Sequence, residues 1–175
     1  MNYGFIGAGN MAGAIIKGMT VGTGSFEGKD IFVYDLNASA AKSLADICKV
    51  NVCSSAEDVI ASSDVIVLAV KPNVLPDVVT QLKNKIIEKS PLVISIAAGK
   101  TLEFLEGLIA KDFPIVRVMP NINAKVGCAT SAFCTTETVS DEQKAIVKKL
   151  FSTVGAVTEL SEKMFSVHSV IGGAA

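Results

Sequence analysis

The first dozen residues combine a strand pattern, a glycine turn and the start of a helix. Residues 3–14 read YGFIGAGNMAGA. Gly7 can form the tight turn after the strand, Gly9 leaves its backbone open to a phosphate, and Ala12 is small enough for the helix to pack on the strand. Free N–H groups at the start of a helix favour an anion. The pattern predicts a dinucleotide-binding turn; a plain strand-to-helix turn without a ligand is the alternative.

Short apolar runs alternate with helical patterns along most of the chain. Residues 64–70 (DVIVLAV) and 92–96 (LVISI) are apolar runs of strand length, which suits strands buried on both faces of a parallel sheet. Further strands are predicted at 31–34, 50–52, 115–119, 127–135 and 155–159, and helices at 38–47, 74–87, 102–109 and 144–151. Residues 20–29 are predicted to form a loop, and a helix start is predicted at Pro72. The predicted fold class is α/β, a doubly wound and mostly parallel sheet with helices on both faces.

Composition narrows the classes of function. The formal net charge is −1 with no basic block, so nucleic acid is not an expected partner. No apolar run reaches membrane-spanning length and no signal peptide is recognisable, so a cytoplasmic protein without a membrane partner is predicted. The cysteines form no C-x-x-C pair and His168 is the single histidine; no metal site is predicted, and Cys48, Cys53, Cys128 and Cys134 are expected to be buried free thiols.

The carboxyl ends of the predicted parallel strands meet at one edge of the sheet, where ligands of this fold class bind. The segments at those ends are mostly small or backbone-rich, which suits a flat ring lying against the rim. The predicted cofactor-binding residues are Ile6, Gly7, Ala8, Gly9, Asn10, Met11, Asp35, Asn37, Ala69, Val70, Lys71, Pro72, Ala97, Ala98 and Gly99. The residues predicted to contact the substrate are Met119, Pro120 and Asn121. Lys71 could instead be a solvated lysine at the end of a strand, and Asn121 could instead stabilise its own loop.

Asp35 bears on the choice of cofactor. It follows the second predicted strand, where an acidic side chain can accept hydrogen bonds from the ribose hydroxyls of NAD and repel the 2′-phosphate of NADP. No arginine follows; the nearby polar groups are Asn37, Ser39 and Lys42. NAD(P)H is therefore the predicted cofactor, with a preference for NADH. A solvated strand-end acid or a helix cap is the alternative.

Four segments together carry a specific resemblance: residues 4–11 (GFIGAGNM), 68–72 (LAVKP), 93–99 (VISIAAG) and 117–121 (RVMPN). In this order and spacing the chain resembles the Δ1-pyrroline-5-carboxylate reductase family. The resemblance implies an N-terminal Rossmann domain, here residues 1–160. It also implies a helical C-terminal dimerisation domain, of which residues 161–175 would be the start, and a homo-oligomer.

The resemblance implies a reaction in which NAD(P)H reduces the C=N bond of pyrroline-5-carboxylate to give proline. A protonated cyclic imine is already electrophilic, so positioning and charge matching can supply the catalysis. No catalytic residue is identified in the sequence, and His168 is expected to be a packing or surface residue.

Three departures from the family pattern put the substrate in question more than the cofactor. Ile122 and Asn123 stand where the family has Thr-Pro, residues 170–175 lack the family's serines, and Asp35 is not its usual residue. The apolar Gly/Ala tail suggests a cut inside a longer protein, a poorly anchored segment at 161–175, and dinucleotide binding without turnover. Another imine or keto-acid reductase and a non-catalytic dinucleotide-binding module remain as alternatives.

Overall fold

One sheet runs through the part of the chain that the structure describes. The computed structural model describes the backbone of residues 1–173 and the side chains of residues 1–170. The strands of this region are β1 (Tyr3–Ile6), β2 (Ile31–Tyr34), β3 (Asn51–Val52), β4 (Val65–Leu68), β5 (Leu92–Ser95), β6 (Ile115–Met119), β7 (Ala129–Thr135) and β8 (Gly155–Glu159). Its α-helices are α1 (Asn10–Lys17), α2 (Ala38–Cys48), α3 (Ala56–Ser62), α4 (Leu75–Lys89), α5 (Leu102–Leu108), α6 (Asp141–Ser152) and α7 (Phe165–Gly173).

The strand order is β3-β2-β1-β4-β5-β6-β7-β8. The pairings from β3 through β6 are parallel, β7 is antiparallel to β6, and β8 is parallel to β7. The chain starts in the middle of the sheet, builds outward to β3, and then returns to β4 on the other side of β1. The order therefore reverses between β1 and β4, where a doubly wound sheet opens a crevice for ligands. The predicted Rossmann-type α/β fold is confirmed.

The central strands are buried because helices cover both faces of the sheet. Every residue of β1, β4 and β5 is buried, as the continuous apolar runs predict. One apolar layer joins the sheet to α1, α2 and α6, with Ile15, Leu44 and Phe151 among its members. The other joins the sheet to α3, α4 and α5, with Ile60 and Leu82 among its members.

The predicted loop at 20–29 is wrong in its first part. Helix α1 continues directly into a π-helix, Gly18–Gly22, and a short 3₁₀ helix follows at Gly28–Asp30. Met19 is fully buried in the apolar layer of α1, α2 and α6, and the Thr20 hydroxyl donates to the Ile16 carbonyl at 2.9 Å. Tertiary burial thus extends the helical path through a stretch whose glycines and threonines favour a loop.

The sequence predicts helix caps at Asn37, Ser55 and Ser140 from their side chains and spacing, and the structure confirms these caps only in part. At α6, Ser140 and Gln143 form a complete capping box. At α3, the Ser55 side chain accepts from the Asp58 N–H, and the Asp58 carboxylate accepts from the Ser54 hydroxyl. Asn37 precedes α2, yet its side chain makes no capping hydrogen bond; it accepts from the Ser39 hydroxyl at 2.6 Å.

The C-terminal segment is better anchored than predicted. Arg117 of β6 pairs with Glu162 at 2.7 Å, and the same carboxylate oxygen accepts the Leu102 N–H at 2.9 Å. Phe165 is buried with Cys134 of β7, and the Arg117 guanidinium lies 4.4 Å from the Phe165 ring centroid. The predicted tail also includes Ala174 and Ala175, which lie outside the described residues.

Among the described residues, no helix is long and apolar enough to cross a membrane.

Candidate dinucleotide-binding site

The glycine turn between β1 and α1 lies at the point where the strand order reverses. Gly7 has φ +108°, and a Cβ there would lie 2.6 Å from the carbonyl oxygen of Ala69, which follows β4. A Cβ at Gly9 would meet no heavy atom of the described residues within 4 Å. The protein's own backbone therefore requires glycine at Gly7, whereas at Gly9 the missing side chain leaves open space. A pyrophosphate needs such space at this position.

The start of α1 offers unpaired backbone donors to that space. Gly9 is the residue before the helix and has no side chain to cap it. The first N–H of the helical ladder is that of Gly13, which donates to the Gly9 carbonyl at 2.8 Å. The N–H groups of Asn10, Met11 and Ala12 precede it and so lack a partner within the helix. Together with the positive end of the helix dipole, they form a site suited to an anion.

A groove of about 880 Å³ begins at the turn and runs along α1. Of the predicted cofactor-binding residues, those that line it are Ala8, Gly9 and Asn10. Further along, its lining includes Gly13, Lys17, Ser43, Leu44, Lys125 and Val126. The segments after β4 and β5 instead lie at the rim of the sheet, so groove and rim meet at the glycine turn.

The parallel strands bring the other predicted residues to one edge of the sheet. Ala98 and Gly99 after β5 are exposed, and Ala69 and Val70 after β4 are half-buried. Ile6 is different: its side chain is 2 % exposed in the apolar layer of α3, α4 and α5. Ala97 is buried in the same layer. A ligand at the rim would therefore rest above these two side chains and could reach only their backbone.

The segment after β4 departs from the prediction at Pro72. Helix α4 begins at Leu75 and carries Pro76 in its first turn, so the helix start predicted at Pro72 is wrong. The Lys71 carbonyl accepts the N–H groups of Val74 and Leu75, at 3.0 and 3.1 Å, and closes a turn before the helix. Lys71 itself is exposed, and its side chain remains a candidate for ligand contact.

Asp35 follows β2 and is already engaged by two backbone donors. Its Oδ2 accepts the Ala8 N–H at 2.6 Å, and its Oδ1 accepts the Asn37 N–H at 2.8 Å. The first bond joins the end of β2 to the glycine turn across 27 residues of sequence. The sequence analysis missed this bond. The residues around the end of a strand do not show which distant turn the last side chain will contact.

Leu36 is a candidate ligand contact that the sequence analysis overlooked. It lies directly after Asp35 and is 87 % exposed, the largest exposed fraction among the big apolar side chains described. An apolar surface beside a ribose-reading position suits the face of a base. The sequence feature that could have indicated this contact is the position of Leu36 directly after Asp35, the acidic residue at the end of β2.

The end of β6 carries the residues predicted to contact substrate. Met119, Pro120 and Asn121 are half-buried there. The Asn121 Oδ1 accepts the Thr130 N–H at 3.3 Å, so this side chain ties its loop to β7. A 3₁₀ helix, Ile122–Val126, follows and lies against α1.

The expectation of buried thiols holds for Cys48 and Cys134 but is wrong for Cys53, which is half-buried, and for Cys128, which is exposed. The Cys134 thiol lies beneath α7 and is strongly perturbed. Burial raises the pKa of Cys134 to about 12; the Glu162 charge adds to the increase and Arg117 opposes it. A thiol held neutral in this way is a poor nucleophile. His168 lies half-buried on α7. Within residues 1–173, no group of three His, Cys, Asp or Glu side chains is arranged to hold a metal ion.

Comparison with known proteins agrees with this geometry. The family described as NADP oxidoreductase, coenzyme F420-dependent, matches residues 2–99. The chain belongs to this family. The matched region of this NADP oxidoreductase family runs from β1 through the segment after β5, and so includes the glycine turn, Asp35 and the rim residues.

The curated relatives that this chain matches include pyrroline-5-carboxylate reductases from plants and bacteria. That of Arabidopsis thaliana is 36 % identical over 170 residues, covering 97 % of this chain and 60 % of the relative. That of Escherichia coli is 34 % identical over 169 residues, covering 97 % of this chain and 61 % of the relative. The predicted resemblance is confirmed. The chain spans about 60 % of the length of these relatives.

Solved structures extend the likeness to three dimensions. A pyrroline-5-carboxylate reductase from Coxiella burnetii superposes with a TM-score of 0.94 at 30 % identity, covering 99 % of this chain and 64 % of that one. The Plasmodium falciparum pyrroline carboxylate reductase with NADP bound gives a TM-score of 0.86 at 28 % identity, covering 98 % and 62 %. Prephenate dehydrogenase from Aquifex aeolicus, at 19 % identity and a TM-score of 0.75 over 97 % of this chain and 65 % of that one, shares the fold.

Proposed function

We propose that this chain is the dinucleotide-binding part of a pyrroline-5-carboxylate reductase. The observation that carries the proposal is the turn at Gly9, where open space adjoins the uncapped start of α1 at the reversal of the strand order. The relatives described above support the reaction, and the NADP-bound Plasmodium structure supports a nicotinamide dinucleotide as cofactor.

The residues at the rim divide into three groups by what they would hold. Gly9, Asn10 and Met11 would bind the pyrophosphate through their N–H groups. Asp35 would accept from the adenosine ribose, with Leu36 beside the base. The nicotinamide side would be formed by Ala69, Val70, Lys71, Pro72, Ala98 and Gly99. When bound, the reduced nicotinamide supplies the hydride.

A preference for NADH over NADPH is part of the proposal. The carboxylate of Asp35 would repel a 2′-phosphate, and the nearby polar groups Asn37 and Ser39 are already bonded to each other. Lys42 is the first cation that follows Asp35 in the sequence and is the candidate to offset the repulsion. Replacing Asp35 by Ser is therefore expected to raise NADPH affinity relative to NADH affinity; an unchanged ratio by calorimetry would remove Asp35 from this role.

The proposed substrate is a cyclic imine that carries a carboxylate. In its protonated form the ring nitrogen already bears the proton of the product, so one hydride added at the carbon completes the conversion to the amine. The protein would then need only to position the imine at the rim of the sheet and to exclude water from that site. Met119, Pro120 and Asn121 at the end of β6 are the proposed substrate contacts.

The rest of the proposal concerns the protein around this domain. Residues 1–160 would form the nucleotide domain and residues 161–175 would begin a helical dimerisation domain, in a cytoplasmic homo-oligomer. The anchored start of α7 gives such a domain a fixed point of departure. Nucleic acid and membranes are not among the proposed partners.

Two measurements test the function. Calorimetry on residues 1–175 is expected to show dinucleotide binding, and an assay of NADH oxidation by these residues is expected to show no turnover. With the full-length protein, pyrroline-5-carboxylate should be reduced in preference to small keto acids. Preference for a keto acid would identify a different reductase, and cofactor binding without any turnover would identify a non-catalytic module.

A further inference from the structure

The Asp35 carboxylate lies between the end of β2 and the glycine turn. Its two oxygens accept separate backbone N–H groups, from Ala8 at 2.6 Å and from Asn37 at 2.8 Å. Hydrogen bonds from an N–H to a carboxylate are stronger than those between neutral groups. One side chain therefore holds both the loop before α2 and the loop before α1.

The turn depends on this side chain because β2 ends before Ala8 is reached. The Gly7 N–H donates to the Tyr34 carbonyl at 2.8 Å and continues the pairing of β1 with β2. The next N–H, that of Ala8, has no strand carbonyl opposite it, and Ala8 is only 7 % exposed. A buried backbone donor needs a partner, and the Asp35 carboxylate provides it.

The bond also determines which donors remain for a ligand. With the N–H groups of Gly7 and Ala8 bonded to Tyr34 and Asp35, those of Asn10 and Met11 are left without a partner in the helix, next to Gly9 and its open space. A carboxylate oxygen has more than one lone-pair site, so Asp35 can keep the Ala8 bond and still accept from a ribose hydroxyl. Holding the turn and reading the ribose are compatible.

We propose that Asp35 is a positioning residue for the pyrophosphate-binding turn, acting through the Ala8 N–H in addition to any contact with the ribose. The inference rests on the proposed function of dinucleotide binding. It differs from ribose reading in one respect. A residue that only reads the ribose favours NADH and opposes NADPH, whereas a residue that shapes the turn supports the binding of both.

The experiment compares Asp35→Ser and Asp35→Asn with the wild type, and uses Asp46→Asn on the exposed face of α2 as a control of the same charge change. Hydrogen exchange at the Ala8 amide is followed by NMR without cofactor, with the Ile94 amide in β5 as a measure of global opening. Calorimetry then gives the dissociation constants for NADH and NADPH.

Asp35→Ser is expected to raise exchange at Ala8 about tenfold while Ile94 stays protected. It should also weaken NADH and NADPH binding, the former about fivefold or more and the latter less, since the repulsion of the 2′-phosphate is removed at the same time. Asp35→Asn should recover part of both losses, because its single side-chain oxygen can still accept one N–H. Asp46→Asn should change neither readout.

Unchanged Ala8 exchange in Asp35→Ser, with NADPH binding strengthened outright, would overturn the proposal and leave Asp35 as a ribose reader alone. Equal loss of protection at Ala8 and Ile94 in both variants would also overturn it, since the effect would then be global instability. A wild type that binds neither cofactor would contradict the proposed function, while the exchange at Ala8 would still report whether Asp35 holds the turn.

Discussion

The parallel part of the sheet and its C-terminal extension are stabilised by different kinds of contact. In β1, β4 and β5 every residue is buried between helices, whereas β8 has no fully buried position among its described residues. Around β7 and β8, apolar burial of β7 residues such as Phe133 is joined by polar ties, which are the Arg117–Glu162 pair, the Lys144–Glu159 pair and the capping box at Ser140. The parallel part is stabilised by the burial of apolar side chains. Because this burial does not use the backbone groups at the rim, those groups remain available to a ligand.

Replacing Gly7 by Ala should cause the largest loss of stability, because Gly7 lies in the parallel part of the sheet, at the point where the strand order reverses between β1 and β4. The new Cβ would collide with the Ala69 carbonyl oxygen at a φ of +108°, and we expect a loss of about 3 kcal/mol in the free energy of unfolding. Urea unfolding measures the loss, and dinucleotide binding should fall with it. A stability within about 0.5 kcal/mol of wild type would show that the turn can relax.

Replacing Arg117 by Met should cause the next largest loss of stability. It should weaken the C-terminal extension while leaving the parallel part of the sheet unchanged. Glu162 would keep the Leu102 N–H but lose its cation, at a cost of about 2 kcal/mol. The segment carrying Phe165 should loosen, so that thiol labelling of Cys134, now buried at a pKa of about 12, becomes faster.

NADH binding by the Arg117→Met variant should stay near the wild-type value. The control is Lys163→Met, which removes an exposed cation from the same segment and should leave Cys134 protected. Loss of NADH binding together with loss of the anchor would mean that the two regions are not separable.

Gly9→Val addresses the ligand and not the fold. The branched side chain would enter space that no described atom occupies, so dinucleotide binding should weaken by about tenfold or more, or 1.4 kcal/mol. The free energy of unfolding should change by no more than about 1 kcal/mol, since only the residue before α1 is altered. Unchanged binding by calorimetry would contradict the assignment of Gly9 to the pyrophosphate.

The Lys144→Ala variant should have the smallest effect, and one that depends on pH. The hydrogen bond from Lys144 lowers the pKa of Glu159 below its ordinary 4.5, with Lys144 and Lys148 charges assisting. A lowered folded-state pKa stabilises the fold above the unfolded value and loses that contribution as pH falls through the folded one. The small stability difference between wild type and variant should therefore be present at neutral pH and vanish in acid; a difference independent of pH would indicate packing instead.

The sequence was most informative where burial and backbone geometry are local. The apolar runs at 64–70 and 92–96 predict β4 and β5 because a strand covered on both faces needs apolar residues throughout. The glycine turn is equally local, since Gly7 must adopt a positive φ within a few residues of β1.

What could not be predicted depends on partners distant in sequence. The π-helix Gly18–Gly22 exists because Met19 is buried under elements formed much later in the chain. Asp35 reaches Ala8 across 27 residues, and Arg117 meets Glu162 across 45. The sequence around each of these residues carries no motif that would indicate its partner. The contact forms only when the sheet brings the two distant segments together.

The two apolar layers described above lie on opposite faces of one sheet and share no residue among those described. Packing changes on one face are then transmitted to the other only through the strands themselves. Substitutions at sites such as Ile15 and Ile86 should thus combine additively in their effects on stability. Each face of the domain can therefore be repacked by substitution without altering the side chains of the other face.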